Sequence, residues 1–147
     1  MFWAGPDKDG GALYVSDLSQ EQAPKRLTSA NFPGRDADPT WTRDGQSITF
    51  RRRVADGTST GNLDIFQIPA DGSGTASALI ASPANDMGPS WSPDGEQLAY
   101  QTDTRIPALP GASVLRIWLA DSQGKHRHVL LNGSGGAVQA APSWTTR

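Results

Sequence analysis

The sequence predicts an all-β fold, a β-propeller of about three four-stranded blades, and three observations carry that prediction. First, the 147 residues include 16 Gly and 11 Pro, and no stretch free of both exceeds 12 residues (Ala12 to Ala23, and Ala112 to Gln123). Helices of ordinary length need longer uninterrupted runs, so an all-helical chain is excluded. Second, three landmarks recur at one period. Trp41, Trp91 and Trp144 lie 50 and 53 residues apart. Leu13-Tyr14-Val15, Ile65-Phe66-Gln67 and Ile117-Trp118-Leu119 are spaced by 52, as are Leu27, Leu79 and Leu131. Third, Asp-Gly follows Trp41 and Trp91 by three residues. That dipeptide supplies the positive-φ residue a tight hairpin requires. Four short strands in a unit of this length form one sheet that cannot cover its own apolar faces, so the units stack as blades. A β-sandwich shares the frequent turns but does not predict one period in three registers.

Each unit is read in order. The innermost strand is the Pro39-Thr40-Trp41 or Pro89-Ser90-Trp91 segment, with each Trp wedged between adjacent blades. The second strand is Gln46 to Arg51, or Gln97 to Gln101. The third, Leu63 to Ile68 or Leu115 to Ala120, has apolar side chains pointing both ways, as expected of a strand buried on both faces. A turn through Asp71-Gly72-Ser73-Gly74, or Asp121-Ser122-Gln123-Gly124, leads to a short outer strand ending at Leu79 or Leu131. The whole chain, 1–147, reads as one propeller region: a partial blade at 1–35, blades at 36–84 and 85–134, and the first strand of a further blade at 135–147. A closed ring needs four blades or more. The chain is therefore expected to be part of a longer propeller, or to pair as a homodimer that completes a six-bladed ring. The join in such a dimer would lack an Asp-Gly turn, which favours the first expectation.

Composition narrows the function classes. With 13 basic and 15 acidic residues and a net charge of −2, no basic field is present for nucleic acid. No run approaches the roughly 18 apolar residues of a membrane span, so membrane insertion is not expected. Met1-Phe2-Trp3-Ala4-Gly5-Pro6 has neither the basic nor the apolar segment of a signal peptide. The absence of Cys excludes disulfides, thiolate catalysis and sulfur-ligated zinc.

The stretch Asp86-Met87-Gly88-Pro89-Ser90-Trp91-Ser92-Pro93-Asp94-Gly95, followed by Gln97 to Tyr100, resembles the repeat of TolB-like, WD40-like propellers. The copy at Asp36 matches with Thr42-Arg43 in place of Ser-Pro, and the copy at Gln139 lacks both the leading Asp and the Asp-Gly. The resemblance spans essentially the whole chain. It implies a six-bladed ring and a periplasmic or extracytoplasmic setting. It does not imply one activity, since such blades occur in TolB, in the regulatory propellers of prolyl-oligopeptidase-like peptidases and in ectodomains of bacterial kinases.

Candidate site residues follow from position. Asp36 and Asp86 precede Pro39 and Pro89 by three residues, where the chain enters the inner strand at the mouth of the channel. Carboxylates converging there suit a hard cation or a basic partner group, but the favoured expectation is that each caps a local turn, and Gln139 in the third copy weighs against the cation. Arg51-Arg52-Arg53 ends a second strand and points into the loop Val54 to Asn62, with Arg52 the candidate for gripping a phosphate or carboxylate; the bland reading is a solvated or acid-paired run. Arg105-Ile106-Pro107-Ala108-Leu109-Pro110 places Arg105, Ile106 and Leu109 on an irregular loop, where Ile106 and Leu109 suit either seating a partner or folding back onto the rim. His126 and His128 share a face without an evident third metal ligand, and read as exposed hairpin residues. Asp7-Lys8-Asp9-Gly10 opens like a calcium loop but continues with Ala12 and Val15 where oxygens are needed. Asn132-Gly133-Ser134-Gly135-Gly136 lacks the Gly-Lys-Ser of a phosphate cradle. No nucleophile elbow is present, and no catalytic residue, cofactor or metal is expected. The expected role is a non-enzymatic interaction module that binds a protein or peptide through its loop-bearing rim. The alternative is an accessory or gating propeller of a larger enzyme, such as a peptidase or a bacterial kinase ectodomain. A third class, a propeller acting on carbohydrate, would need acids and bases converging on one pocket.

Overall fold

The Ser/Thr-x-Asp-Gly turns recognised in the sequence set the hairpins from which the sheets are built. The computed structural model describes residues 2–5, 11–17, 19, 23–29, 35–54, 61–105, 113–132 and 142–145. Strands β1 (Phe2–Gly5), β2 (Ala12–Val15) and β3 (Lys25–Arg26) form a three-stranded sheet. A four-stranded sheet follows, made of β4 (Asp36–Trp41), β5 (Ser47–Val54), β6 (Asn62–Pro69) and β7 (Ser77–Ile80). The next contains β8 (Asn85–Trp91), β9 (Gln97–Arg105), β10 (Ser113–Asp121) and β11 (His128–Asn132). Spatial order follows chain order in each sheet and every pairing is antiparallel. These are successive propeller blades, with no helix among the described residues.

Turn chemistry explains the spacing of the motif. In the β4–β5 hairpin the Gly45 N–H donates to the Thr42 carbonyl, and Gly45 takes φ 68. Asp44 Oδ1 accepts from the Thr42 hydroxyl and the Gln46 N–H at 2.6 and 3.0 Å. The β8–β9 hairpin repeats this with Ser92, Asp94, Gly95 and Glu96. The carboxylate therefore serves the backbone of its own turn, which is why Asp stands before Gly. At Gly124 (φ 73) a second constraint applies, because a Cβ there would lie 2.1 Å from the Leu79 carbonyl oxygen. The β10–β11 turn can approach β7 this closely only without a side chain.

Alternation along the strands sends the two faces of each blade to different neighbours. Ile48, Phe50, Ile68 and the half-buried Phe66 pack towards the first sheet, against Leu13 and Leu27. Ile65 and Ile80 pack towards the third, against Leu98, Tyr100 and Ala120. Burial of β6 on both faces, expected from its apolar pattern, follows from this position between sheets.

Trp91 and Trp144 reach across these seams, whereas Trp41, expected to be wedged in the same way, is 38% exposed. Trp41 and Trp91 end β4 and β8, and Trp91 Nε1 donates to Thr49 Oγ1 of the preceding blade at 3.0 Å. Trp144 Nε1 reaches back in the same sense to the Ser90 carbonyl at 3.0 Å. Of the first strand expected over 135–147, only residues 142–145 are described, and there the Trp144 side chain supplies the contact to β8. A further expectation needs correction. The second strand does not end at Arg51 but runs to Val54, because Arg51, Arg52 and Arg53 continue the ladder opposite Ile65, Asp64 and Leu63.

Candidate functional site

Strand register brings the charged candidates into rows at the end of the blades from which the long connections leave. In the second sheet, Asp36, Arg52 and Asp64 lie opposite one another on β4, β5 and β6. In the third, the same row holds Asp86, Thr102 and Arg116 on β8, β9 and β10. Residues directly opposite in an antiparallel pair project to the same face, so each row sets its side chains next to one another.

Asp36 and Arg52 are only 3% and 7% exposed. They form a two-pronged ion pair, with Arg52 Nε to Asp36 Oδ1 at 2.7 Å and Arg52 Nη2 to Asp36 Oδ2 at 2.8 Å. The guanidinium carbon lies 5.1 Å from the ring centres of both Phe50 and Phe66. Parallel N–H···O bonds and two aromatic faces fix Arg52 in place. Arg52 thus points into the blade rather than into the loop after β5. Its neighbour Arg51, on the other face of β5, meets Asp38 at 2.6 Å.

Asp86 is 1% exposed and has a different set of partners. The Thr102 hydroxyl donates to its Oδ1 and the Ser82 hydroxyl to its Oδ2, each at 2.8 Å. Burial pushes the Asp86 carboxyl above the usual carboxylate range, the hydroxyl bonds pull it back, Asp64 adds to the rise and Arg127 opposes it. Asp64 is raised as well, again by burial, with the Ser82 backbone N–H acting against it. Ser82 thereby links the blades. It touches both acids, while Asn62 Nδ2 donates to Asp64 Oδ1 at 3.0 Å and to the Ser82 carbonyl at 2.6 Å. Tyr100, on the same face as Thr102, has its hydroxyl pushed up to about 12 by burial and by the Asp86 charge. Beside the row, Asn85 Oδ1 accepts from the Leu63 N–H at 3.1 Å, and buried Asp103 Oδ1 has no partner among the described residues.

The site residues expected from the sequence are therefore only partly brought together. Asp36 and Arg52 pair with each other, Asp86 sits one blade away, and Arg105 ends β9 with only its backbone described. Ile106 and Leu109 lie outside the described residues. His126 and His128 are exposed; His126 Nδ1 lies 2.6 Å from Asp121 Oδ2, and the Nδ1 of His128 lies 3.2 Å from the His126 carbonyl. Sequence reasoning missed Asp64, Ser82 and Thr102. The available signal was an acid interrupting the apolar run Leu63-Asp64-Ile65, which in a strand buried on both faces demands a partner. No group of three or more His, Asp or Glu side chains is arranged to hold a metal among the described residues.

Solved structures place this geometry. A protein assigned as TolB from Agrobacterium tumefaciens superposes with TM-score 0.71 at 24% identity, over 89% of this chain and 44% of its own. The chain has a TolB-like propeller fold. TolB from Acinetobacter baumannii matches at TM-score 0.67 and 20% identity, over 98% of this chain and 32% of its own. A puromycin-hydrolyzing peptidase from Mycobacterium tuberculosis matches at 0.65 and 21%, over 90% and 22%. The chain thus spans less than half the length of each TolB protein it resembles. No protein-family model matches it. In the TolB-like arrangement, the Asp-x-x-Pro-x-Trp repeat has a structural reading: its Asp enters the buried row in both blades, and in the second copy Trp91 bonds across the seam to the preceding blade.

Proposed function

We propose that this chain is an interaction module that binds a protein or peptide through the loop-bearing rim of its TolB-like propeller and carries no catalytic group of its own. The observation that supports the reading is the internal use of the rim's charge. Both oxygens of Asp36 meet Arg52, and both oxygens of Asp86 meet hydroxyls, so these buried side chains are engaged within the blades. Recognition then falls to the loops themselves, including the segment with Arg105, Ile106 and Leu109. A rigid scaffold presenting irregular apolar loops is suited to a partner surface, because little ordering entropy is lost on binding.

The test is quantitative affinity capture with the wild type beside Ile106→Ser/Leu109→Ser. The proposal expects a reproducible set of partners to be lost by the variant while its melting temperature is unchanged. Equal capture by both proteins overturns the role of this loop. A second reading, an accessory propeller of a larger enzyme, draws on the likeness to the puromycin-hydrolyzing peptidase. A hydrolase segment adjoining this chain in its reading frame would favour that reading over a free-standing module.

A further inference from the structure

On the opposite rim, the hairpins of the two whole blades flank an open cleft of about 450 Å³, within the usual range of small-ligand sites. Its walls include Arg43, Asp44, Gln67, Trp91, Asp94 and Ser122. Three features distinguish it from a chance gap between turns. Trp91 is held by its Nε1 bond to Thr49 and by packing on the seam between the blades. The indole therefore has its one donor satisfied elsewhere and shows the cleft a fixed carbon surface. Arg43 lies across the neighbouring hairpin: a Cβ on Gly95 would be 2.9 Å from Arg43 Cβ, so the absence of a side chain there makes room for the arginine stem. Asp44 and Asp94 both use Oδ1 for their own turns, leaving Oδ2 outside those bonds.

The cleft thus surrounds one rigid aromatic surface with donors from Arg43, acceptors from Asp44 and Asp94, and groups from Gln67 and Ser122 that both donate and accept. Two carboxylates to one guanidinium disfavour a phosphate or carboxylate ligand. So many polar groups would be stranded under a purely apolar one. What fits is a ring with a C–H face to lie on the indole and hydroxyls at its edge that both donate and accept. We propose that this hairpin-rim cleft binds a neutral mono- or disaccharide, at a site separate from the loop-bearing rim.

The experiment is a titration of the whole chain with cellobiose, maltose and N,N′-diacetylchitobiose, followed by NMR at the Trp91 indole N–H and the Gln67 side-chain amide. Inorganic phosphate and a short lysine-containing peptide serve as comparison probes. Saturable shifts at these two groups with at least one disaccharide are expected. Arg43→Ala and Gln67→Ala should each weaken binding by about tenfold or more, with unchanged melting temperature. No saturable shift with any disaccharide at millimolar concentration overturns the proposal. So does binding that survives both substitutions, or a response to phosphate or the peptide alone. Loss of loop-rim capture in Ile106→Ser/Leu109→Ser leaves this outcome unaffected, since that loop leaves β9 at the end opposite the β8–β9 turn.

Discussion

The two four-stranded blades have the same register and turn chemistry but fill one internal row differently. The blade of β4 to β7 places a cation on its second strand between two acids: Asp36, Arg52, Asp64. In the blade of β8 to β11 the second-strand position is Thr102 and the guanidinium stands one strand further out, at Arg116. The first solution binds Asp36 in a buried ion pair; the second leaves Asp86 on two hydroxyls and Asp64 close enough to influence it. The lesson is that the repeat specifies a buried acid at the entry to each inner strand, while the means of satisfying it is local. Burying a carboxylate is costly in either blade, but only one uses a full opposite charge to offset that cost.

The largest effect should come from breaking the stronger row. Arg52→Ala leaves Asp36 without its guanidinium and removes the cover from Phe50 and Phe66. A loss of about 3–5 kcal/mol in unfolding free energy is expected, measured by urea denaturation. Asp36→Leu combined with Arg52→Met should recover much of that loss, because a buried pair replaced whole by apolar groups is often near neutral. If the single and double variants lose stability equally, the ion pair is not what distinguishes this blade.

How much of this was legible depended on the kind of signal. Repetition in three registers exposed the blades, since Trp41 and Trp91, or Ile65 and Ile117, mark equivalent places whatever their surroundings. The turns were legible because Asp44-Gly45 and Asp94-Gly95 act within a few residues. Cross-strand partners were not. Arg52 was recognised as a candidate, but its pairing with Asp36, 16 residues away, needed the register that the β4 irregularity between Ala37 and Thr40 sets. The Arg51 to Arg53 run looked like a strand end because three charges rarely continue a buried strand. It continues here because alternate residues go to opposite faces, each arginine at 51 and 52 meeting an acid of β4. Ser82 and Thr102 carried no visible mark, since an isolated hydroxyl resembles any surface Ser or Thr until its neighbour is known to be buried.

A smaller effect separates the blades by pH. Asp86 and Asp64 are held above the ordinary 3.8, so the folded state favours their protonated forms. Stability from this source is fully present below the unfolded value and declines as pH rises through the raised folded values. The turn acids Asp44, Asp71, Asp94 and Asp121 are held below 3.8, chiefly by side-chain hydrogen bonds. Their contribution is present above 3.8 and is lost as pH falls through the lower folded values. Asp86→Asn should therefore flatten the decline between about pH 4 and neutrality, read from denaturation midpoints across pH, while leaving the acid limb intact. Thr102→Val should do the reverse, costing about 1–3 kcal/mol near neutrality and less at acid pH, where Asp86 is protonated. A parallel pH profile for Asp86→Asn and wild type would remove the contrast between the rows.

The smallest expected effect tests the inner strands. Both carry an irregularity at the same place, and the residue there adopts left-handed backbone: Asp38 at φ 52 in one blade, Gly88 at φ 59 in the other. Glycine takes this conformation without steric cost, whereas other residues are disfavoured by about 1–2 kcal/mol, Asp being among the more tolerant. Asp38 is held there alongside Arg51, an ion pair at 2.6 Å that is partly exposed and so contributes about 0–1 kcal/mol. The opposing terms nearly cancel, with backbone relief the larger. Asp38→Gly should raise the unfolding free energy by less than about 1 kcal/mol and the melting temperature by a few degrees. A fall would mean that the Arg51 pair, for which the other blade has Gln101 at the corresponding position, holds the inner strand more firmly than its exposure implies.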